Sequence, residues 1–129
     1  MKRGMRKSGL ILFGTLSLTS SAAVSSDWTP DANLIAKLEA AVHIPSNDGH
    51  APTPLVGYAR YYAGKLIKGR RVIDGMLLLP DTASEKPGVY IRSSSKMPLG
   101  IMDGGCTEVT LRYDVTASRF LFTRCNGVA

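Results

Sequence analysis

Two cysteines, Cys106 and Cys125, are the only thiols in the chain, and its amino-terminal segment decides what they become. Lys2, Arg3, Arg6 and Lys7 crowd the start without an acid, the apolar run Gly9 to Leu18 follows, and small residues occupy Ser20 to Ala23. This succession is the layout of a secretory signal peptide. The apolar run is about half of the roughly 20 residues that a membrane-crossing helix needs. Residues 1–25 are expected to be a signal peptide removed on export, with the cut before Val24 or just after Ser25. No cysteine lies nearby to take a lipid, so no stable membrane anchor is expected to remain. The expected product is a single small domain over residues 26–129, periplasmic or secreted.

An exported chain meets oxidising conditions, where two lone cysteines pair by default. If Asp114 to Ala117 form a turn, Cys106 to Tyr113 and Ser118 to Cys125 become a hairpin that sets the two thiols directly opposite each other. The same register pairs Val109 with Phe122 and Leu111 with Phe120 on an apolar face, and Glu108 with Thr123 and Thr110 with Leu121 on the other. Arg112 opposite Arg119 is its one repulsive pair. A bridge closing a loop of this length constrains the unfolded chain by roughly 3 kcal/mol in the entropy model. The Cys-x-x-Cys spacing that activates redox thiols is absent, so the bridge is read as structural.

With 129 residues the chain is too short for two independent cores. Its 16 Lys and Arg against 10 Asp and Glu give +6, but four of those cations belong to the signal segment, which leaves 12 against 10, a formal +2. That argues against nucleic acid as a partner, because such binding rests on many clustered phosphate contacts. A local excess survives: no acid lies between Asp48 and Asp74, while Arg60, Lys65, Lys68, Arg70 and Arg71 do.

Thr29, Pro30 and Asp31 read as a helix opening, with a hydroxyl cap, a first-turn proline and an acid at the positive end of the dipole. Leu34, Ile35, Leu38, Ala41 and Val42 recur on one face, which predicts an amphipathic helix over Pro30 to Val42, stopped by Pro45. A turn-rich connector, Ser46 to Pro54, follows. Leu55 to Ala63, Arg71 to Leu79 and Gly88 to Ser93 read as strands, with Ser94 to Gly105 as a loop before the final hairpin. Short connections without a crossover helix predict antiparallel neighbours. The expected fold is α+β: one N-terminal amphipathic helix packed on an antiparallel meander of about five strands, with one disulfide. This element order is similar to that of cystatin-like and NTF2-like domains, a likeness of fold that carries no function.

Tyr58, Arg60 and Tyr62 alternate on one side of the first strand and, with the local basic excess, suggest a platform for a stacked ring or an acidic partner. The same residues also suit plain strand packing. Asp103, ahead of Gly104 and Gly105, is a further candidate ligand or base, although a tight entry into the hairpin needs the same residues. Asp74, Asp103 and Glu108 have no metal-ligand spacing, and Pro45 separates the only imidazoles, His43 and His50, so neither a metal nor a cofactor is expected. Ser93-Ser94-Ser95-Lys96 matches Ser-x-x-Lys, but the companion Ser-Asp-Asn and Lys-Thr-Gly motifs are absent, as is the Gln-x-Val-x-Gly loop of cystatins. No motif carries chemistry of useful specificity. The leading expectation is an exported, non-catalytic binding or interaction protein of the bacterial envelope, with an unknown envelope ligand or protein as partner. The alternatives are a small periplasmic hydrolase using Asp103 with His43 or His50, and an inhibitor or immunity protein presenting the loop Ser94 to Met102 to a secreted enzyme.

Overall fold

The computed structural model describes residues 28–46, 51–100 and 104–127, with positions 4, 9, 14 and 15 as isolated points. Apart from those four points the expected signal segment lies outside the described residues, as do His50 and Asp103.

Helix α1 spans Ala32–Ala41. The Asp31 carboxylate caps it, accepting the Leu34 amide at 2.8 Å, in place of the expected Thr29 hydroxyl. Pro30 is buried ahead of the cap instead of occupying the first turn, so the helix starts two residues later than the pattern suggested. Val42 leaves the helix in an extended conformation, and Ile35 and Leu38 are fully buried. Ten residues are too few to hold a helix in water, so α1 exists because that face docks on the sheet.

Five strands follow in chain order: β1 (Ala59–Ile67), β2 (Arg70–Leu78), β3 (Gly88–Ile91), β4 (Glu108–Asp114) and β5 (Arg119–Cys125). They form one sheet in the order β3-β1-β2-β4-β5. The expectation of an all-antiparallel meander is corrected: β3 runs parallel to β1, and the sheet is mixed. After β2 the chain passes the start of β1 and lays β3 along its far side. The parallel pair β1 and β3 is thus connected through β2 itself, and residues 92–107, with 3-10 turns at Ser94–Lys96 and Gly105–Thr107, then join β3 to β4 at the other side of β2. Met97 from that connection packs beside Ala59, Tyr61 and Leu78.

Gly64 does not break β1 as expected. The strand continues to Ile67 and turns through Lys68 and Gly69, both at positive φ (50° and 76°), the two-residue geometry that suits the twist of a hairpin. The Trp28 main-chain carbonyl occupies the space where a β-carbon on residue 64 would sit, and the indole Nε1 donates to the Lys65 carbonyl at 2.9 Å. Arg71 stacks on the same indole at 5.2 Å.

The Cys106–Cys125 bridge is present, with the Cα atoms 4.5 Å apart. Its expected register is corrected. Cys106 lies in a 3-10 turn outside the ladder, and Cys125 pairs with Val109. Two features displace β5. The four-residue turn moves one position on, to 115–118, with Ser118 closing it at φ 51° and Asp114 joining β4, and a bulge between Arg112 and Tyr113 leaves Leu121 without a ladder partner. Tyr113 therefore faces Phe120, whereas Arg112 faces Phe122 and Leu111 faces Thr123. The repulsive Arg112–Arg119 pair does not form, because Arg119 lies opposite Asp114.

The core sits between α1 and one sheet face, where Ile35 and Leu38 meet Tyr62, Ile73, Leu77, Leu111 and Tyr113. Ala59, Tyr61 and Leu78 form a smaller cluster on the opposite face. In the β4–β5 turn the Asp114 carboxylate accepts the Ala117 amide at 3.0 Å and pairs with Arg70 at 2.7 Å. These contacts, the Ala117 amide first, hold its carboxyl below the ordinary aspartate value.

Gly64→Ala is expected to cost about 2 kcal/mol, read from the urea midpoint, because backbone and indole must move to admit one methyl. An unchanged midpoint would mean that Trp28 does not pack there. A depressed native carboxyl stabilises the fold above its unfolded value and loses that contribution as pH falls through the native one. The stability difference between wild type and Asp114→Asn is therefore expected to be full above about pH 3.9 and to shrink below it.

Candidate functional site

The three residues proposed as a platform are not on the surface. Tyr58 and Tyr62 have no exposed area and Arg60 retains 9%, all on the face covered by α1. The Tyr58 hydroxyl donates to the Cys106 carbonyl at 2.8 Å and so ties the approach to β1 to the bridged turn. The Arg60 Nε and the Tyr62 hydroxyl both donate to one oxygen of Glu39 on α1, at 2.7 and 2.8 Å. A second guanidinium nitrogen of Arg60 donates to the carbonyls of Leu55 and Tyr58. Burial and the neighbouring carboxylate raise the Tyr62 pKa well above its ordinary value. These side chains form a satisfied network beneath the helix and present no ring face to solvent.

Glu39 was not foreseen. Its signal was an arginine within a strand whose alternate positions are apolar on both sides, since a guanidinium buried there needs an acid from a neighbouring element. Glu39 lies four residues before His43, which is exposed at the end of α1, and both line a shallow cleft with Pro52 and Leu55. Glu39 directs one oxygen to Arg60 and Tyr62, and among the described residues no carboxylate hydrogen-bonds the His43 imidazole. Glu108 is 2% exposed and receives the Asn126 side-chain amide at 3.0 Å, while Asp74 is engaged by Arg112 and Lys65. Among the described residues no three metal-binding side chains gather. Leu99, in the loop considered for insertion into a partner, is 92% exposed.

The other face of the sheet holds the chemistry that sequence reading did not assemble. Register places three rungs across β1, β2, β4 and β5: Tyr61, Met76, Thr110 and Arg124; Ala63, Asp74, Arg112 and Phe122; Lys65, Val72, Asp114 and Arg119. Met97 and its loop cover the β1 half, where Tyr61 stacks on Tyr90 at 5.3 Å. Burial and a hydrogen bond to Glu85 push the Tyr61 hydroxyl up to about 12. The β2–β4–β5 half stays open as a groove of about 240 Å³, lined by Lys65, Asp74, Met76, Arg112, Phe122 and Arg124, with Met97 and Ser94 along its wall.

Asp74 binds Arg112 through both oxygens, at 2.7 and 3.1 Å, and lies 3.8 Å from the Lys65 Nζ. The hydrogen bond to Asp74 raises the Arg112 pKa further and locks its charge in place. Phe122 is flanked by two guanidinium carbons, that of Arg112 at 5.6 Å and that of Arg124 at 4.6 Å. The arrangement supplies fixed positive charge beside an apolar floor, a combination suited to holding a ligand. No helix among the described residues is long and apolar enough to cross a membrane. Comparison with known protein families, characterised proteins and solved structures found no match.

Removing the carboxylate of the buried network leaves the Arg60 charge unpaired beneath the helix. Glu39→Ala is expected to lower stability by about 3 kcal/mol in chemical denaturation, and Glu39→Leu combined with Arg60→Met by clearly less. A double variant as unstable as the single one would show that packing around α1, and not the charge, sets the cost.

Proposed function

We propose that the chain is an exported, non-catalytic binding protein of the bacterial envelope that holds its ligand on the open face of the sheet. The observation that carries this reading is the contrast between the two faces. Beneath α1 every charged group has its partner, whereas the open face keeps a groove where three cations meet one carboxylate above Met76 and Phe122. Binding is favoured over reaction because both oxygens of Asp74, the one carboxylate lining the groove, are already engaged by Arg112 and one of them also faces Lys65. The bridge supports export, since structural disulfides persist in oxidising compartments.

Native mass spectrometry of protein recovered from the envelope of an expressing bacterium tests the reading. The expected species lacks the signal segment, is lighter by the two thiol hydrogens, and carries a bound molecule that the groove-filling Thr110→Trp removes. A mass retaining residues 1–25 would sink export. A bare wild-type protein, or an adduct that survives the substitution, would remove the groove from consideration.

A further inference from the structure

The chemical class of the ligand can be derived from which charges in the groove are already neutralised, and the derivation rests on the reading of that groove as the binding site. Lys65, Arg112 and Arg124 outnumber Asp74, so a cationic ligand would meet net repulsion. Both Asp74 oxygens point at Arg112 and one of them also lies near Lys65. Arg124 stands outside that cluster. It makes no hydrogen bond and no ion pair among the described residues, and its side chain is exposed.

An exposed arginine ordinarily samples many rotamers, but the Phe122 ring 4.6 Å from its guanidinium carbon limits Arg124 to the groove rim. Its planar fork of N–H donors fits the paired oxygens of a carboxylate or phosphate. The bulge at Leu121 brings it there. Phe120 packs against the helix-side core, and strict alternation from that residue would turn Phe122 and Arg124 away from Leu121 and toward the same core. The added rung position resets their ladder partners to Arg112 and Thr110, on the open face.

Charge alone does not describe the site. Met76, Met97 and Phe122 give it an apolar floor, and thioethers adapt to varied shapes. A bare inorganic anion would leave that floor wet, and a neutral molecule would leave the fork unused. The volume of about 240 Å³ is below the roughly 300–1,000 Å³ of pockets for drug-sized ligands, which sets the occupant's size. We infer that the groove takes a small amphiphilic oxyanion, a carboxylate or a phosphate ester, whose charged end meets Arg124 and whose apolar body lies on Phe122, Met76 and Met97.

Titration calorimetry on the bridged protein with phenyl phosphate, benzoate, inorganic phosphate and benzyl alcohol tests this. Phenyl phosphate and benzoate are expected to bind at one site, with the alcohol and inorganic phosphate each about tenfold weaker or worse. Arg124→Gln, an exposed substitution, is expected to weaken the two organic oxyanions about tenfold. Lys86→Gln, which removes an equal charge from an exposed loop, is expected to leave them unchanged. A preference for benzoate assigns a carboxylate and a preference for phenyl phosphate a phosphate ester; either supports the inference. Equal binding of the alcohol, insensitivity to Arg124→Gln, or equal weakening by Lys86→Gln overturns it. Binding of an oligo-glutamate peptide in place of the small probes also overturns it, in favour of an acidic protein partner. If none of the probes binds while the native adduct remains sensitive to Thr110→Trp, the ligand class is wrong and the site reading stands.

Discussion

A single carboxylate, that of Glu39, joins the two layers of this fold. Helix α1 is too short to persist alone, and it covers the sheet because Ile35 and Leu38 bury their side chains while one Glu39 oxygen accepts from both Arg60 and Tyr62. Apolar contact supplies most of the attraction but little orientation. The paired hydrogen bonds set where along β1 the helix rests, since sliding it would strand a guanidinium in an apolar layer. Tyr58 extends the same logic toward the bridged turn through its bond to the Cys106 carbonyl.

The elements were legible in the sequence, and their partners were not. Apolar periodicity located α1 to within two residues, and alternation found five strands but set β1 four residues early at both ends, where Leu55–Gly57 is a 3-10 turn and the strand runs on through Gly64 to Ile67. The two thiols pair with each other, as expected of the only cysteines in the chain. Register failed where it depended on one backbone angle at Ser118 and one unpaired residue at Leu121, neither of which leaves a pattern in side-chain type. The parallel pairing of β3 failed for a related reason: consecutive strands were expected to lie side by side, whereas β3 passes over β2 to the far side of β1, so that β2 itself is the element between the parallel pair.

Tyr58, Arg60 and Tyr62 were correctly read as sharing a side of β1, but alternation states that residues share a side without stating which one is covered. Both sides of a central strand are candidates for burial, and here the tyrosines lie inward. The residues that line the open groove come from four strands. Lys65 stood out only as one member of a basic window, and Asp74 only as a scattered acid, until pairing placed them within 4 Å of each other. A bulge and a shared carboxylate thus convert residues unremarkable in the sequence into one constellation.

The disulfide has a bearing on when that constellation can exist. Strand β5 carries Phe122 and Arg124 and, as one of the two edge strands, borders only one neighbour, so its ladder is open to peeling from the outside. The covalent link sits at its last residue and fastens it to the turn that opens β4. A copy whose bridge is reduced would keep this outer ribbon loose and leave the rim of the groove unfinished, so the full constellation belongs to the oxidised chain.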